Sequence, residues 1–182
     1  NALNPKEAYF TVSQADDGTY EVLPGNVVLL NAGGGYAGWP PGGAHPVPLL
    51  TSPLEPIWAE RKYLASFIGV KDAGGPIAWP LGHAEHSSWD KNGRGATTRR
   101  AMWEALENKS GVYLRDCNFA GSPAYVPDFT KNLCESTFAL APRGYGRTSF
   151  RLYEAMGLGA IPVYIYDEPW LPFTDVLDWS EF

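Results

Sequence analysis

The order of strands and helices after residue 61 constrains the fold more than any other feature of this sequence. Short apolar runs alternate with segments of helical periodicity, and turn residues separate them. Asp128 is predicted to cap the second helix and Gly159 to end the third. The predicted strands are 63–70, 112–114, 137–141 and 161–165, and the predicted helices are 97–106, 128–133 and 149–158. We therefore predict an α/β fold with a Rossmann-like parallel sheet and helices on both faces.

The first 60 residues follow a different pattern. Residues 9–13 and 27–30 are predicted as short strands, with a turn at Asp16-Asp17-Gly18 between them. The stretch from Gly33 to Pro56 is rich in Gly and Pro, which disfavour regular elements. It is predicted to be a linker or a long ordered crossing. Further along, residues 71–95 are predicted to form a polar, Gly-rich loop.

The composition fits one packed domain, alone or with a piece of another. The 182 residues are 45% hydrophobic and 19% charged. The net charge of −6 lacks the basic excess of a nucleic-acid-binding protein. No run reaches the ~18 apolar residues of a membrane span, and the N-terminus does not resemble a signal peptide. Because the chain begins without Met, we expect a fragment, so any membrane anchor of the parent protein would lie outside it.

The two cysteines leave the redox compartment open. Cys117 and Cys134 do not have the spacing of metal ligands. They could form one disulfide in a secretory lumen or remain two buried thiols. Asn108-Lys109-Ser110 is an N-glycosylation sequon just after a predicted helix, where we expect it to be exposed. The sequon favours the secretory pathway only weakly, because such triplets are common by chance.

Two further motifs match functional patterns but lack the necessary context. Gly33 to Gly38 match G-x-G-x-x-G, which binds a dinucleotide only where a helix begins and holds the pyrophosphate. The next residues, 39–43, are Trp-Pro-Pro-Gly-Gly, and they exclude that helix. His83 and His86 have a metal-ligand spacing only on a helix, and the nearby Pro and Gly predict a loop. We interpret both motifs as loops and predict no metal site.

Residues 141–156 carry the main functional signal. A buried strand leads through a Gly-containing loop into a helix, an arrangement in which backbone amides can bind an anion. Arg143, Arg147 and Arg151 fall within nine residues, and no Lys or Arg occurs in the 31 residues that follow. Guanidinium groups donate in a planar fork that suits phosphate oxygens. We predict that Arg143 and Arg147 bind an anion such as a diphosphate. The alternative is that the arginines form ion pairs with the acidic residues that follow, which include Asp167 and Glu168.

Arg151 permits two interpretations. Arg151 and Glu154 are three residues apart and could form a helix-surface ion pair worth about 0.3 kcal/mol. Alternatively, Arg151 could join the other arginines at the anion. Glu154 lies too far into the helix for the phosphates, but its carboxylate suits a vicinal diol such as that of ribose. The segment therefore predicts a site for a nucleoside diphosphate.

These residues resemble the exostosin family of glycosyltransferases. The resemblance is close over residues 136–182 and weaker over 61–125, where Phe67-Ile68-Gly69 is similar to the first strand of the donor domain. Ala139 stands where family members often have Cys, which weakens the case for a disulfide. The matching motifs are Ser136 to Gly144, Ser149 to Ala155, Gly159 to Val163, Leu171 to Phe173, and Asp178 to Ser180.

The resemblance implies the C-terminal half of a GT-B fold. That fold has two Rossmann-like domains, and the C-terminal one binds a nucleotide sugar, usually a UDP-sugar. Residues 59–182 would be the donor-binding domain, incomplete at its C-terminus, and 1–58 a remnant of the acceptor-side domain with a linker. In this comparison Arg143 and Arg147 face the diphosphate, and Glu154 holds the ribose. The implied donor-binding residues are Gly69, Arg143, Gly144, Arg147, Thr148, Ser149 and Glu154.

The implied reaction transfers the sugar to a glycan or glycoprotein hydroxyl in the Golgi or ER lumen. It inverts the configuration at the anomeric carbon of the sugar. No cofactor, metal or nucleic acid is expected. The catalytic residue is unknown, because the general base would come from acceptor-domain residues absent here. Asp16 and Asp17 are better explained by a turn. The alternatives are a non-catalytic exostosin-like partner subunit and an epimerase on a Rossmann core, which the rejected dinucleotide motif disfavours.

Overall fold

A computed structural model describes residues 3–15, 23–34, 44–71, 94–117, 128–144 and 146–181. In these ranges the strands form two separate sheets, and every strand pair is parallel. The first sheet has the order β1-β2-β3, with β1 at Tyr9–Ser13, β2 at Val27–Asn31 and β3 at Ala44–Pro46.

The second sheet has the order β5-β4-β6-β7. Its strands are β4 Tyr63–Gly69, β5 Val112–Asp116, β6 Ser136–Pro142 and β7 Ile161–Ile165. The connecting helices are α1 Arg94–Leu106, α2 Phe129–Cys134 and α3 Phe150–Gly157, and a 3-10 turn spans Trp179–Glu181. Each crossover in this second sheet contains a helix, as crossovers between parallel strands usually do.

The core lies on both faces of the second sheet. Successive side chains of β4 point to opposite faces. Phe67 packs with Met102 of α1 on one face, and Ile68 packs with Leu133 of α2 and Ala155 of α3 on the other. The predicted α/β fold with a Rossmann-like parallel sheet is therefore confirmed.

Three local predictions need correction. The stretch predicted as a linker contains the short strand β3, and α1 begins at Arg94 rather than at residue 97. Asp128 precedes α2 with a φ of 71°, and its side chain makes no capping hydrogen bond. The predicted end of α3 is confirmed, because Gly159 has a φ of 74°, a conformation that glycine adopts readily.

The two sheets meet at the carboxyl ends of their strands. The backbone N–H of Arg147, in the loop after β6, donates to the carbonyl of Gly33, just beyond β2 (2.9 Å). After β7, the indole Nε1 of Trp170 donates to the carbonyl of Asn31 (2.9 Å). In parallel α/β sheets the carboxyl edge is where ligands bind. This junction therefore borders the segment that the sequence predicts to be functional.

Candidate functional site

Residues 143–148, here called the arginine loop, connect β6 to α3. The Gly144 N–H donates to the carbonyl of Thr148 at 2.7 Å, which closes the loop on itself. Ser149 has an extended backbone, and its Oγ accepts from the N–H of Arg151 at 3.3 Å, so it caps α3. The local sequence thus places a closed, Gly-containing loop directly before a helix N-terminus.

Arg143 is buried and holds the loop together. Its Nε donates to the Gly146 carbonyl (2.9 Å), and its Nη1 forms an ion pair with Asp167 Oδ1 (2.6 Å). Burial raises the pKa of the Asp167 carboxyl, but the hydrogen bond and charge of Arg143 outweigh that effect and hold the pKa below its usual value. The contact of Arg143 with a diphosphate remains a prediction.

Arg147 lies against an aromatic ring. Its guanidinium carbon is 4.7 Å from the centroid of the Trp170 ring, and its Nε is 3.8 Å from Glu168 Oε2. Burial lowers the pKa of Arg147, and Glu168 opposes that shift. The guanidinium is therefore a partly desolvated cation at the carboxyl edge of the sheet. Such a charge interacts strongly with an anion, because little water screens it.

Tyr164 fixes the backbone beneath Arg147. The Tyr164 hydroxyl donates to the carbonyl of Arg147, and the N–H of Trp170 donates to the same hydroxyl at 3.3 Å. The Tyr164 ring also stacks on Tyr166, with centroids 4.7 Å apart. Burial raises the pKa of the Tyr164 phenol well above its usual value, so this donor stays protonated.

Arg151 is buried, so its ion pair with Glu154 does not lie on the helix surface. The Arg151 Nε is 3.3 Å from Glu154 Oε2, and its Nη2 donates to the Ile68 carbonyl of β4 at 2.6 Å. Its guanidinium lies 4.6 Å from the Phe129 ring and 5.4 Å from the Phe67 ring. Burial lowers the pKa of Arg151, and Glu154 opposes that shift. Water screens the attraction within this pair less than in the predicted surface pair, because the Arg151 side chain is buried and that of Glu154 is mostly buried.

The remaining predicted residues lie in two places. Gly144, Thr148 and Ser149 belong to the same strand–loop–helix unit as the arginines and Glu154. Gly69 ends β4, the neighbouring strand. A Cβ on Gly69 would come within 2.6 Å of Phe67 Cζ and would displace that buried ring, so packing gives a reason for glycine there. Its close approach to a donor remains a prediction.

Sequence reasoning missed two side chains that shape this edge, Arg99 and Trp170, whereas Asp167 is one of the acidic residues expected as alternative partners of the arginines. Arg99 of α1 donates through Nε to the Arg143 carbonyl (3.1 Å) and through Nη1 to the Val70 carbonyl (3.2 Å), so it ties the ends of β4 and β6. Asp167 and Trp170 follow β7 and contact the arginine loop. The sequence contained a signal for Asp167 and Trp170, because residues that follow parallel strands lie together at one edge of the sheet.

Several other sequence features can now be placed. Cys117 and Cys134 are free thiols, and burial raises the pKa of Cys117. The sequon residues 108–110 are exposed, as expected. Asp16, Asp17, His83 and His86 and most of the Gly-rich motif after β2 lie outside the described residues.

Neither a metal-binding cluster nor a membrane-spanning helix occurs in the described parts of the chain. There, no three His, Cys, Asp or Glu side chains are arranged to hold a metal ion. The helices in those parts are too short or too polar to cross a membrane.

Comparison with known proteins places the chain in a family. The sequence profile of the Exostosin GT47 domain matches residues 14–182. The fold, α/β with parallel-strand sheets, is consistent with a Rossmann-like glycosyltransferase domain. The chain belongs to the exostosin GT47 family of glycosyltransferases, which confirms the resemblance seen in its sequence motifs. No solved structure matches the chain significantly.

Curated relatives match shorter segments. A probable glucuronosyltransferase of Oryza sativa subsp. japonica is 39% identical over 88 residues, which are 48% of this chain and 19% of the relative. A probable beta-1,4-xylosyltransferase of Arabidopsis thaliana is 38% identical over the same coverage of each chain. The Exostosin-1 homolog of Caenorhabditis elegans is 42% identical over 53 residues, 29% of this chain and 14% of the relative. The matches therefore span less than a fifth of the length of these relatives.

Proposed function

We propose that the protein transfers a sugar from a nucleoside diphosphate donor, of the UDP-sugar class, to a glycan hydroxyl. In this proposal residues 59–182 bind the donor, and the remainder belongs to the acceptor side of a GT-B enzyme. The observation that carries it is the arginine loop, which places guanidinium groups beside a capped helix start at the carboxyl edge of a parallel sheet. The relatives' names, glucuronosyltransferase and xylosyltransferase, support sugar transfer.

The charge of the site suits a diphosphate. The Arg147 side chain is only 14% exposed, and a cation held at such low exposure has lost much of its hydration. A bound phosphate would add charge-assisted hydrogen bonds to this guanidinium. During transfer, negative charge develops on the departing diphosphate, and a preorganised guanidinium stabilises that charge without reorientation. Arg147 would thus contribute to both donor binding and leaving-group stabilisation.

Glu154 suits the ribose of the same donor. Its carboxylate is 19% exposed and lies 3.3 Å from the Arg151 guanidinium, which fixes its orientation. An ionised carboxylate accepts two or more hydrogen bonds, so one oxygen can contact Arg151 while the other accepts from a ribose hydroxyl. The loop and the helix would therefore bind the two halves of the nucleotide.

The remaining parts of the proposal concern the whole protein. Transfer inverts the configuration at the anomeric carbon of the sugar, and the general base belongs to the acceptor-side domain. The donor is consumed as a substrate, and no separate cofactor is involved. The acceptor is a glycan or glycoprotein in the Golgi or ER lumen, and the exposed sequon at residues 108–110 fits that location.

Calorimetry with UDP tests the donor site. In the full-length protein, Arg147→Ala should weaken UDP binding by about tenfold or more, because one charge-assisted contact is lost. Arg147→Lys should recover only part of the affinity, since an ammonium lacks the planar fork. Arg100→Ala, an exposed arginine on α1, is the control and should bind UDP like the wild type. Equal affinity of Arg147→Ala and wild type would contradict the assignment.

A transfer assay separates the enzyme from a non-catalytic partner subunit. The full-length protein should move radiolabelled sugar from a UDP-sugar to an oligosaccharide acceptor or, without acceptor, release UDP slowly. UDP binding without either reaction would favour the partner-subunit alternative.

A further inference from the structure

Trp170 lies where the first sheet meets the arginine loop. Its indole Nε1 donates to the Asn31 carbonyl (2.9 Å), at the carboxyl end of β2. Trp170 also contacts the arginine loop, because the central carbon of the Arg147 guanidinium is 4.7 Å from the centroid of the indole ring. A single side chain therefore touches both the first sheet and a predicted donor-binding residue.

The position of the indole is fixed by close packing. Gly34 has a φ of 80°, and a Cβ at this position would lie 2.6 Å from Trp170 Cγ and 2.8 Å from its Cδ1. The ring thus lies directly against the backbone of Gly34, a contact that only glycine permits. This packing explains why position 34 is a glycine, and the explanation does not involve dinucleotide binding.

The backbone around Arg147 is held from both sides. Its N–H donates to the Gly33 carbonyl at 2.9 Å, and its carbonyl accepts from the Tyr164 hydroxyl. The same hydroxyl accepts from the N–H of Trp170 at 3.3 Å. The Trp170 indole contacts the Asn31 carbonyl and Gly34, which lie on either side of Gly33. Loss of the ring therefore affects the backbone acceptor of the Arg147 N–H as well as the guanidinium.

We propose that Trp170 is a positioning residue for Arg147, which orients the guanidinium toward the donor diphosphate and couples that orientation to the first sheet. The proposal rests on the proposed function, because it assigns Arg147 to the donor. Cation–π attraction to the indole restricts the rotamers of the Arg147 side chain, so its N–H donors are held where phosphate oxygens can meet them. Without the ring, the side chain regains rotamers, and binding has to restrict them again.

The test compares two ligands of the full-length protein, UDP and uridine. Trp170→Leu removes the ring and should lower UDP affinity about tenfold, whereas uridine, which lacks phosphates, should change by less than about twofold. Trp170→Phe keeps a ring under Arg147 and should lower UDP affinity about threefold. Trp179→Phe is the matched control, since its indole Nε1 donates to the Pro172 carbonyl (2.7 Å), and its UDP affinity should match wild type.

Amide hydrogen exchange gives a second readout that needs no ligand. In Trp170→Leu the N–H of Arg147 should lose protection, while the amides of β6 keep theirs. Unchanged protection of Arg147, or an equal loss of UDP and uridine binding, would overturn the proposal. A wild-type protein that fails to bind UDP would instead count against the proposed function, and the exchange measurement would still decide the role of Trp170.

Discussion

The Nη1 of Arg143 and the Oδ1 of Asp167 lie 2.6 Å apart, and this ion pair joins the end of β6 to the residues that follow β7. The side chain of Arg143 is 7% exposed and that of Asp167 is 25% exposed, so water screens the pair only weakly. Arg143 also donates to the Gly146 carbonyl inside the arginine loop. The pair therefore stabilises the loop from outside, whether or not an anion is bound.

Asp167→Asn should lower the free energy of unfolding at pH 7 by about 2 kcal/mol, because it leaves a buried guanidinium without its charged partner. The pKa of Asp167 is depressed in the folded state, so its contribution is present above the unfolded value of about 4. That contribution is lost as the pH falls through the folded pKa. Urea unfolding at pH 7 and at pH 3 measures both effects.

The control for this prediction is Asp175→Asn, an exposed carboxylate in the same C-terminal segment. It should leave the stability at pH 7 within about 0.5 kcal/mol of wild type. The difference between Asp167→Asn and wild type should shrink at pH 3. A difference that stays constant across this range would show that the carboxylate charge is not what stabilises the loop.

Arg61→Met should destabilise the fold by about 3 kcal/mol. The guanidinium donates through Nη1 to the carbonyls of Leu133, Cys134 and Ser136 (3.3, 2.7 and 2.6 Å) and through Nη2 to that of Gly159 (2.5 Å). These acceptors include the end of α2 and the turn after α3, which lose their donor in the variant. Thermal unfolding followed by circular dichroism measures the loss. The exposed Lys131→Met is the control and should unfold close to wild type.

The elements of the second sheet could be predicted because their signals are local. Residues 161–165, for example, form an apolar run after a glycine that ends a helix, and β7 has those bounds. The strand β3 could not be predicted in the same way. Ala44–Pro46 lies in a Gly- and Pro-rich stretch, and it becomes a strand only by pairing with Leu29, Leu30 and Asn31 of β2. Such pairing joins segments that are distant in sequence.

The candidate site shows the same division between local and distant information. The three arginines and Glu154 fall in one segment, so their spacing could be read directly from the sequence. The burial of Arg151 could not be predicted from the sequence, because it results from contacts with the Ile68 carbonyl and with rings on other elements. Trp170 was missed for a related reason: it reaches Arg147 only because β6 and β7 are adjacent in the sheet.

Gly69→Ala should destabilise the fold by about 2 kcal/mol, because the added Cβ meets the buried Phe67 ring at 2.6 Å. In a Phe67→Leu background the same substitution should cost less than about 1 kcal/mol, since the interfering ring is gone. Gly157→Ala is the control, because nothing lies within 4 Å of a Cβ there, and it should not destabilise. Chemical unfolding of these variants measures the coupling. Equal costs in both backgrounds would show that Phe67 is not the reason for glycine at position 69.

Glu154→Gln should remove the preference of the protein for a ribose over a deoxyribose. Wild type should bind UDP about tenfold more tightly than 2′-deoxy-UDP, because an ionised carboxylate held by Arg151 accepts from the ribose hydroxyls. The variant should bind UDP about tenfold more weakly and 2′-deoxy-UDP almost as wild type does. Calorimetry with both nucleotides measures the ratio, and Glu104→Gln on the exposed side of α1 should retain it. If Glu154→Gln weakened both nucleotides equally, the carboxylate would act on the fold of α3 and not on the ribose.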